Sequence, residues 1–106
     1  MTVDARVTVR DDAARHRFEV LVDGEVAGFT AYRREGDAVA FTHTEVDDDH
    51  EGEGLGSQLV RGALEQVRAK RSSVLPYCPF VASYLKKHPE LQDLVPAGER
   101  ERFGLS

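Results

Sequence analysis

The sequence predicts a single α/β domain over residues 1–106: an antiparallel meander of strands, then a helix that crosses over to one parallel strand of the same mixed sheet. Two observations carry this. Apolar residues recur at period two through the first half, as in Phe18, Val20 and Val22, with turn residues between the runs. From Gly54 onward the period changes to that of a helix, with Leu55, Leu59, Val60, Ala63, Leu64 and Val67 on one face.

The elements follow in order. Val3 to Arg10 is rich in β-formers and is expected to stop at Asp11-Asp12-Ala13-Ala14. Arg15 to Val22 is the second strand, and Asp23-Gly24 supplies the two positive-φ positions of a tight hairpin. Glu25 to Arg34 is the third strand, with Ala27, Phe29 and Ala31 alternating, and Glu35-Gly36-Asp37 reverses the chain into Ala38 to Val46. The helix from Leu55 ends near Lys70-Arg71, and Ser72 to Tyr77 is a short strand. Because the helix joins the two, that strand is expected parallel to Ala38–Val46. Pro76 marks it as an edge, or as splayed from its neighbour at that point. Phe80 to His88 is a second helix, stopped by Pro89, and Leu91 to Ser106 is either a short helix or a loose arm.

Composition narrows the function classes. The net charge of −5 speaks against a general nucleic-acid binder, which usually carries a basic excess. No run of about 18 apolar residues is present. The single cysteine excludes an internal disulfide framework, and Met1 to Arg6 lacks a secretory signal pattern, so a cytoplasmic location is expected. His16, His43, His50 and His88 have no metal-ligand spacing, and no metal is expected.

Gly52-x-Gly54-x-Gly56 lies between the end of a strand and the start of a helix. Glycines there let the backbone turn sharply and approach a ligand, while the free N–H groups and positive dipole end of the helix favour an anion. Ser57 adds a hydroxyl. A phosphate or pyrophosphate is the expected guest. The P-loop is excluded because no lysine separates Gly56 from Ser57, and the dinucleotide fingerprint because position 57 is serine where it needs glycine. Asp47, Asp48, Asp49, Glu51 and Glu53 flank the loop, so main-chain N–H groups must dominate, with those carboxylates facing solvent. The alternative is a glycine turn that serves only strand–helix packing.

With these residues in place the chain resembles the GCN5-related N-acetyltransferase superfamily, in its compact single-domain branch. The resemblance rests on Glu51-Gly52-Glu53-Gly54-Leu55-Gly56 in the position of the family's Gln/Arg-x-x-Gly-x-Gly/Ala motif and on the preceding strand Phe41 to Val46. It rests also on Pro76-Tyr77-Cys78-Pro79-Phe80-Val81 and Tyr84 to Pro89 in the closing segment, and it spans roughly residues 6–95. Glu51 departs from the motif and removes one phosphate donor.

The resemblance implies a minimal fold with two central parallel strands that splay, and acetyl-CoA (coenzyme A) as cofactor. The pantetheine arm would pair with the backbone of Thr44, Glu45 and Val46. The pyrophosphate would lie on Gly52, Glu53, Gly54, Leu55, Gly56 and Ser57. Cys78 would lie near the thioester as a possible acyl acceptor, and Tyr84 would protonate the departing thiolate. Lys86 or Lys87 would meet the 3′-phosphate.

Read by residue type alone, Cys78 is equally a small buried hydrophobe, and Tyr84 equally a core residue on the face shared by Val81, Leu85 and His88. Alternation puts His43 and Glu45 on one strand face, where either could take a proton from an amine, and histidine suits that task near neutral pH. The implied activity is transfer of an acetyl group to a primary amine, on a small molecule or a protein lysine. The alternatives are a CoA-binding module without efficient catalysis and a pure interaction domain. The expected partners are acetyl-CoA and the amine, without nucleic acid or membrane, in a monomer or weak homodimer.

Overall fold

The computed structural model describes residues 6–47 and 54–105. Strands β1 (Val7–Asp12), β2 (Arg17–Val22), β3 (Glu25–Glu35) and β4 (Ala38–Val46) precede helix α1 (Leu55–Ala69), followed by β5 (Ser73–Pro76) and α2 (Pro79–Lys87). Among the described residues they build one five-stranded sheet in the order β1-β2-β3-β4-β5. The first four strands are antiparallel, and β5 pairs parallel to β4 from Ala38↔Ser73 to Phe41↔Pro76. This is the predicted mixed sheet and crossover. The β2–β3 hairpin turns at Asp23 and Gly24 with φ of 52° and 86°, as the Asp-Gly pair leads one to expect.

One face of the sheet is covered. Leu55, Leu59, Val60, Ala63, Leu64 and Val67 of α1 are all buried, together with Phe18, Val20, Tyr32, Val39, Phe41 and Val74 of the sheet and Val81 and Leu85 of α2. These are the six helical positions the periodicity picks out. Truncating a residue as deep as Leu64 to alanine is expected to cost about 2–5 kcal/mol.

Three local differences from the sequence expectation have physical causes. The β1 strand runs on through Asp11 and Asp12. Asp11 is tolerated there because its carboxylate accepts hydrogen bonds from the Tyr32 hydroxyl at 2.6 Å and Lys70 Nζ at 3.3 Å. A 3-10 turn at Ala13–Arg15 and a left-handed His16 then reverse the chain. Two β-bulges also interrupt the alternation. Val20 pairs with Gly28 but Leu21 with Val26, so Ala27 is the extra residue in β3. Ala31 pairs with His43 but Tyr32 with Phe41, so Thr42 is the extra residue in β4. The first bulge turns Thr30 and Tyr32 inward, and Phe29 and Ala31 outward with only partial burial. Finally, the C-terminal stretch is neither a regular helix nor a loose arm. It is a run of 3-10 turns at Pro89–Leu94, Ala97–Glu99 and Glu101–Phe103, pinned by buried Leu91, Leu94, Val95 and Leu105.

The opposite face of the sheet is polar over β1 to β3. Glu19 is fully buried there beneath Arg10 and Arg17, whose guanidinium groups approach its carboxylate to 2.8 and 2.7 Å. Burial pushes the Glu19 carboxyl up, but the hydrogen bonds from Arg17 and Arg10 outweigh that, and the net shift is downward. Arg17 in turn lies over the Phe29 ring at 4.6 Å. Toward β5 this face is apolar, and Phe103 packs against Ala38, Ala40 and Leu75.

Candidate functional site

The pairing of β4 with β5 stops at Phe41↔Pro76. The Cys78 N–H still donates to Phe41 O at 2.8 Å, after which the chain enters α2. Among the described residues, Thr42–Val46 therefore pairs with β3 alone, and the sheet opens into a wedge. Proline at position 76 fits this end of the ladder, since it has no N–H to offer.

The Thr42 bulge decides what faces each side of that wedge. It turns Thr44 toward the helices, where Thr44 Oγ1 lies 3.0 Å from Thr30 Oγ1 and 3.3 Å from Cys78 Sγ. Cys78 is 4% exposed and caps α2, with Pro79 at the first helical position. The same bulge turns His43 and Glu45 to the opposite face. There His43 Nε2 and Glu45 Oε2 are 3.4 Å apart, with both side chains more than half exposed. The expectation that these two share a face holds. An open cleft of about 390 Å³ lies at this end of β3 and β4, lined in part by Glu45 and Val46.

Helix α1 starts beside the wedge. Gly54 is its N-cap with φ 70° and ψ 21°, a left-handed conformation that glycine adopts without strain. Among the described residues no side-chain hydrogen bond caps this helix end. Gly52 and Glu53 of the expected pyrophosphate loop lie outside the described residues. Leu55 is a core anchor at 2% exposure, so only its main chain can face a ligand. A Cβ on Gly56 would meet Cζ of Phe80 at 2.6 Å, so glycine is what lets the first turn of α2 lie against the first turn of α1. Ser57 is exposed and lines a groove of about 200 Å³ with Phe80, Ser83, Tyr84, Lys87 and His88.

That groove has an aromatic wall and a charged flank. Phe80, Tyr84 and His88 recur every four residues along α2 and its C-cap, and the Tyr84 and His88 rings stack at 4.0 Å. Arg61, one turn after Ser57 on α1, places its guanidinium 5.9 Å from the Tyr84 ring centre, 3.4 Å from His88 Nδ1 and 3.1 Å from Glu90 Oε2. The hydrogen bond that Arg61 donates to Glu90, with the Tyr84 phenol as a further acceptor, holds Arg61 above its ordinary value. Glu90 is lowered, first by its own backbone N–H and then by Arg61.

Lys87 lines the groove, whereas the Lys86 side chain runs past Gly104 of the C-terminal segment, so the two neighbouring lysines diverge. Cys78 and Tyr84 are separated by function of place: the thiol belongs to the wedge and the phenol to the groove. Arg61 escaped the sequence reading, which followed only the apolar stripe of α1. Its signal was the four-residue spacing from Ser57. Among the described residues no cluster of three metal-ligating side chains occurs, and no helix is long and apolar enough to cross a membrane.

Comparison with known proteins fits this architecture. The solution structure of a GCN5-like protein from Staphylococcus aureus is similar in fold, with a TM-score of 0.64 at 21% identity, covering 84% of this chain and 87% of that one. No curated protein sequence matches the chain. The family described as GCN5-related N-acetyl-transferase matches residues 17–94, which run from β2 through the wedge, α1 and α2. The chain belongs to the GCN5-related N-acetyltransferase family.

Proposed function

We propose that the protein is an acetyl-CoA-dependent N-acetyltransferase whose acceptor is a primary amine, on a small molecule or a lysine side chain. The observation that carries this reading is the coincidence of the wedge with the start of α1. Cys78 at the head of α2 borders the parted strands, and Phe80, two residues on, touches Gly56. Among the described residues the side of Thr44, Glu45 and Val46 that faces away from β3 has no strand partner, and its main-chain groups suit the amides of a pantetheine arm. The N–H groups of Gly54, Leu55, Gly56 and Ser57, at the positive end of the helix dipole, suit a pyrophosphate. We include Gly52 and Glu53 in that loop. Lys87 is the cation assigned to the outer end of the cofactor.

Acetyl-CoA supplies an activated thioester, and the transfer forms a C–N bond while the C–S bond breaks. One proton leaves the amine and one reaches the departing sulfur. His43 and Glu45 take the amine proton, acting from the sheet face opposite α1, so the acceptor approaches from that face. Cys78, in contact with Thr44, is the residue assigned to the thioester itself, as neighbour or as transient acyl acceptor, and water returns a proton to the sulfur, since the Tyr84 phenol lies in the groove and not in the wedge. The setting is the cytosol, where a lone thiol stays reduced.

A second reading, a CoA-binding module without turnover, is favoured by two features. The Cys78 thiol is 4% exposed, and the proposed base pair stands open to solvent. The test is release of free CoA from acetyl-CoA in the presence of a panel of primary amines. We expect amine-dependent release that falls at least about 100-fold in His43→Ala/Glu45→Ala. Binding of acetyl-CoA with no release for any amine would leave the module reading.

A further inference from the structure

We infer that the acceptor is a small amino-carboxylate, with its amine at His43 and Glu45 and its carboxylate held by Arg17 across the outer face of the sheet. The inference rests on the acetyltransferase reading above and names the substrate class of that same site.

Strand register lines up two rows of residues across that face. One row runs Arg10, Glu19, Phe29, Glu45 from β1 to β4, and the next runs Asp12, Arg17, Ala31, His43. Arg17 and His43 therefore stand two strand spacings apart, about 10 Å, with Ala31 between them. The half-buried Phe29 ring forms the floor of this gap. It lies 4.6 Å from the Arg17 guanidinium and 6.1 Å, centre to centre, from the His43 ring. The guanidinium thus leans toward the proposed base, and the open cleft of about 390 Å³ is lined by Phe29 as well as Glu45. A short methylene chain laid over Phe29 and Ala31 would lose contact with water, which favours binding.

The two ends of the rows differ in charge. The end at β1 and β2 is cationic in a chain whose net charge is −5. Arg10, Arg15 and Arg17 gather there around Glu19, and Asp12, 3.9 Å from Arg15, is the second carboxylate, so three guanidiniums face two acids. Arg10 gives Nε and Nη2 to one oxygen of the buried Glu19, and Arg17 gives the same edge to the other, all at 2.7–2.8 Å. That geometry turns Nη1 of each guanidinium away from Glu19. A buried carboxylate is costly to desolvate and is weak evidence for stability. Here it serves as a positioning residue, holding the Arg17 fork in place for a planar anion. At the opposite end the Glu45 carboxylate and His43 suit an ammonium. A molecule with a cation at one end and a carboxylate at the other matches both.

The test measures CoA release from acetyl-CoA with ε-aminocaproate and with hexylamine, which share an amine and a chain and differ in the carboxylate. Wild type should show a kcat/KM about 10–100-fold higher for ε-aminocaproate, the range of a charge-assisted contact, with most of the difference in KM. Arg17→Gln should bring that ratio close to one by lowering the ε-aminocaproate value. Arg33→Gln, two residues beyond Ala31 on β3 and paired with Glu35, should leave the ratio unchanged. A wild-type ratio near one, or a ratio kept in Arg17→Gln, would overturn the inference while leaving amine acetylation in place. So would a ratio lost in Arg33→Gln, which would move the carboxylate toward β5. If neither amine releases CoA the inference fails, and the acetyltransferase reading falls with it only if the whole amine panel is inert. Should Arg17→Gln fail to fold because Glu19 loses a partner, Arg17→Met/Glu19→Leu removes the buried charge as well. A ratio kept in that variant refutes the inference.

Discussion

Strand β4 is two strands in one. From Ala38 to Phe41 it is zipped on both sides, to β3 and to β5, and every residue is buried. From Thr42 to Val46 it keeps β3 only, and its side chains are exposed or half-buried. One extra residue at Thr42 and one proline at position 76 separate the halves. The first half holds the sheet together; the second carries His43 and Glu45, the pair proposed to take the amine proton. The site forms where the ladder is interrupted, because there an interior strand has hydrogen-bonding groups left for a ligand.

The contrast can be broken most severely in the zipped half. Phe41 is 1% exposed and touches the rings of Phe18 and Tyr32, at 6.0 and 6.3 Å between centres. Phe41→Ala should cost about 3–5 kcal/mol, and urea unfolding should find the variant barely folded. A loss below about 1 kcal/mol would mean that this half is not the keystone of the sheet.

At the mouth of the wedge the expected effect falls on binding. Gly54→Glu forces a left-handed residue to carry a side chain and sets a carboxylate at the helix start. It should weaken acetyl-CoA at least about 10-fold, with about 1–2 kcal/mol of lost stability. Titration and thermal melts separate the two.

The zipped half also predicts a response to alkali. Tyr32, opposite Phe41, is pushed up to about 12 from 10.0 by burial and then by its hydrogen bond to Asp11. Its neutral form is the one the fold favours. The stabilisation is therefore complete below pH 10 and is lost as pH rises through about 12. Unfolding free energies measured across that window should fall more steeply in wild type than in Tyr32→Phe; equal slopes would contradict the assignment.

The smallest effect belongs to the open half. Thr44→Val keeps the shape but removes the hydroxyl between Thr30 and Cys78. It should cost about 1 kcal/mol by denaturant titration. It should also speed modification of Cys78 by a thiol reagent, because the sulfur loses its polar neighbour. An unchanged modification rate would show that the Thr44 contact does not restrain the thiol.

The sequence made the covered face legible and the site only partly so. Helical periodicity identified all six buried positions of α1, and Asp23-Gly24 marked its hairpin, because both signals are local. The glycines pointed to the start of α1 for the same reason. The bulges at Ala27 and Thr42 were invisible, since a bulge is a relation between two strands and leaves no mark on one. His43 and Glu45 were nevertheless placed on a common face, because both lie on the same side of the Thr42 irregularity. Arg61 was missed because amphipathic reading follows the core stripe and discards the flank. The run of 3-10 turns after Pro89 has no extended period to detect, and its burial depends on Leu91, Leu94, Val95 and Leu105 reaching a core built elsewhere.

The most direct test is an amide chemical-shift map of the protein titrated with acetyl-CoA. The account predicts saturable shifts concentrated at Thr42–Val46, Gly54–Ser57, Cys78 and the Tyr84–His88 turn, with Ala38–Val39 and the Arg10–Glu19 side of the sheet left in place. No shifts at millimolar acetyl-CoA, or shifts confined to the zipped half and β1–β2, would contradict it.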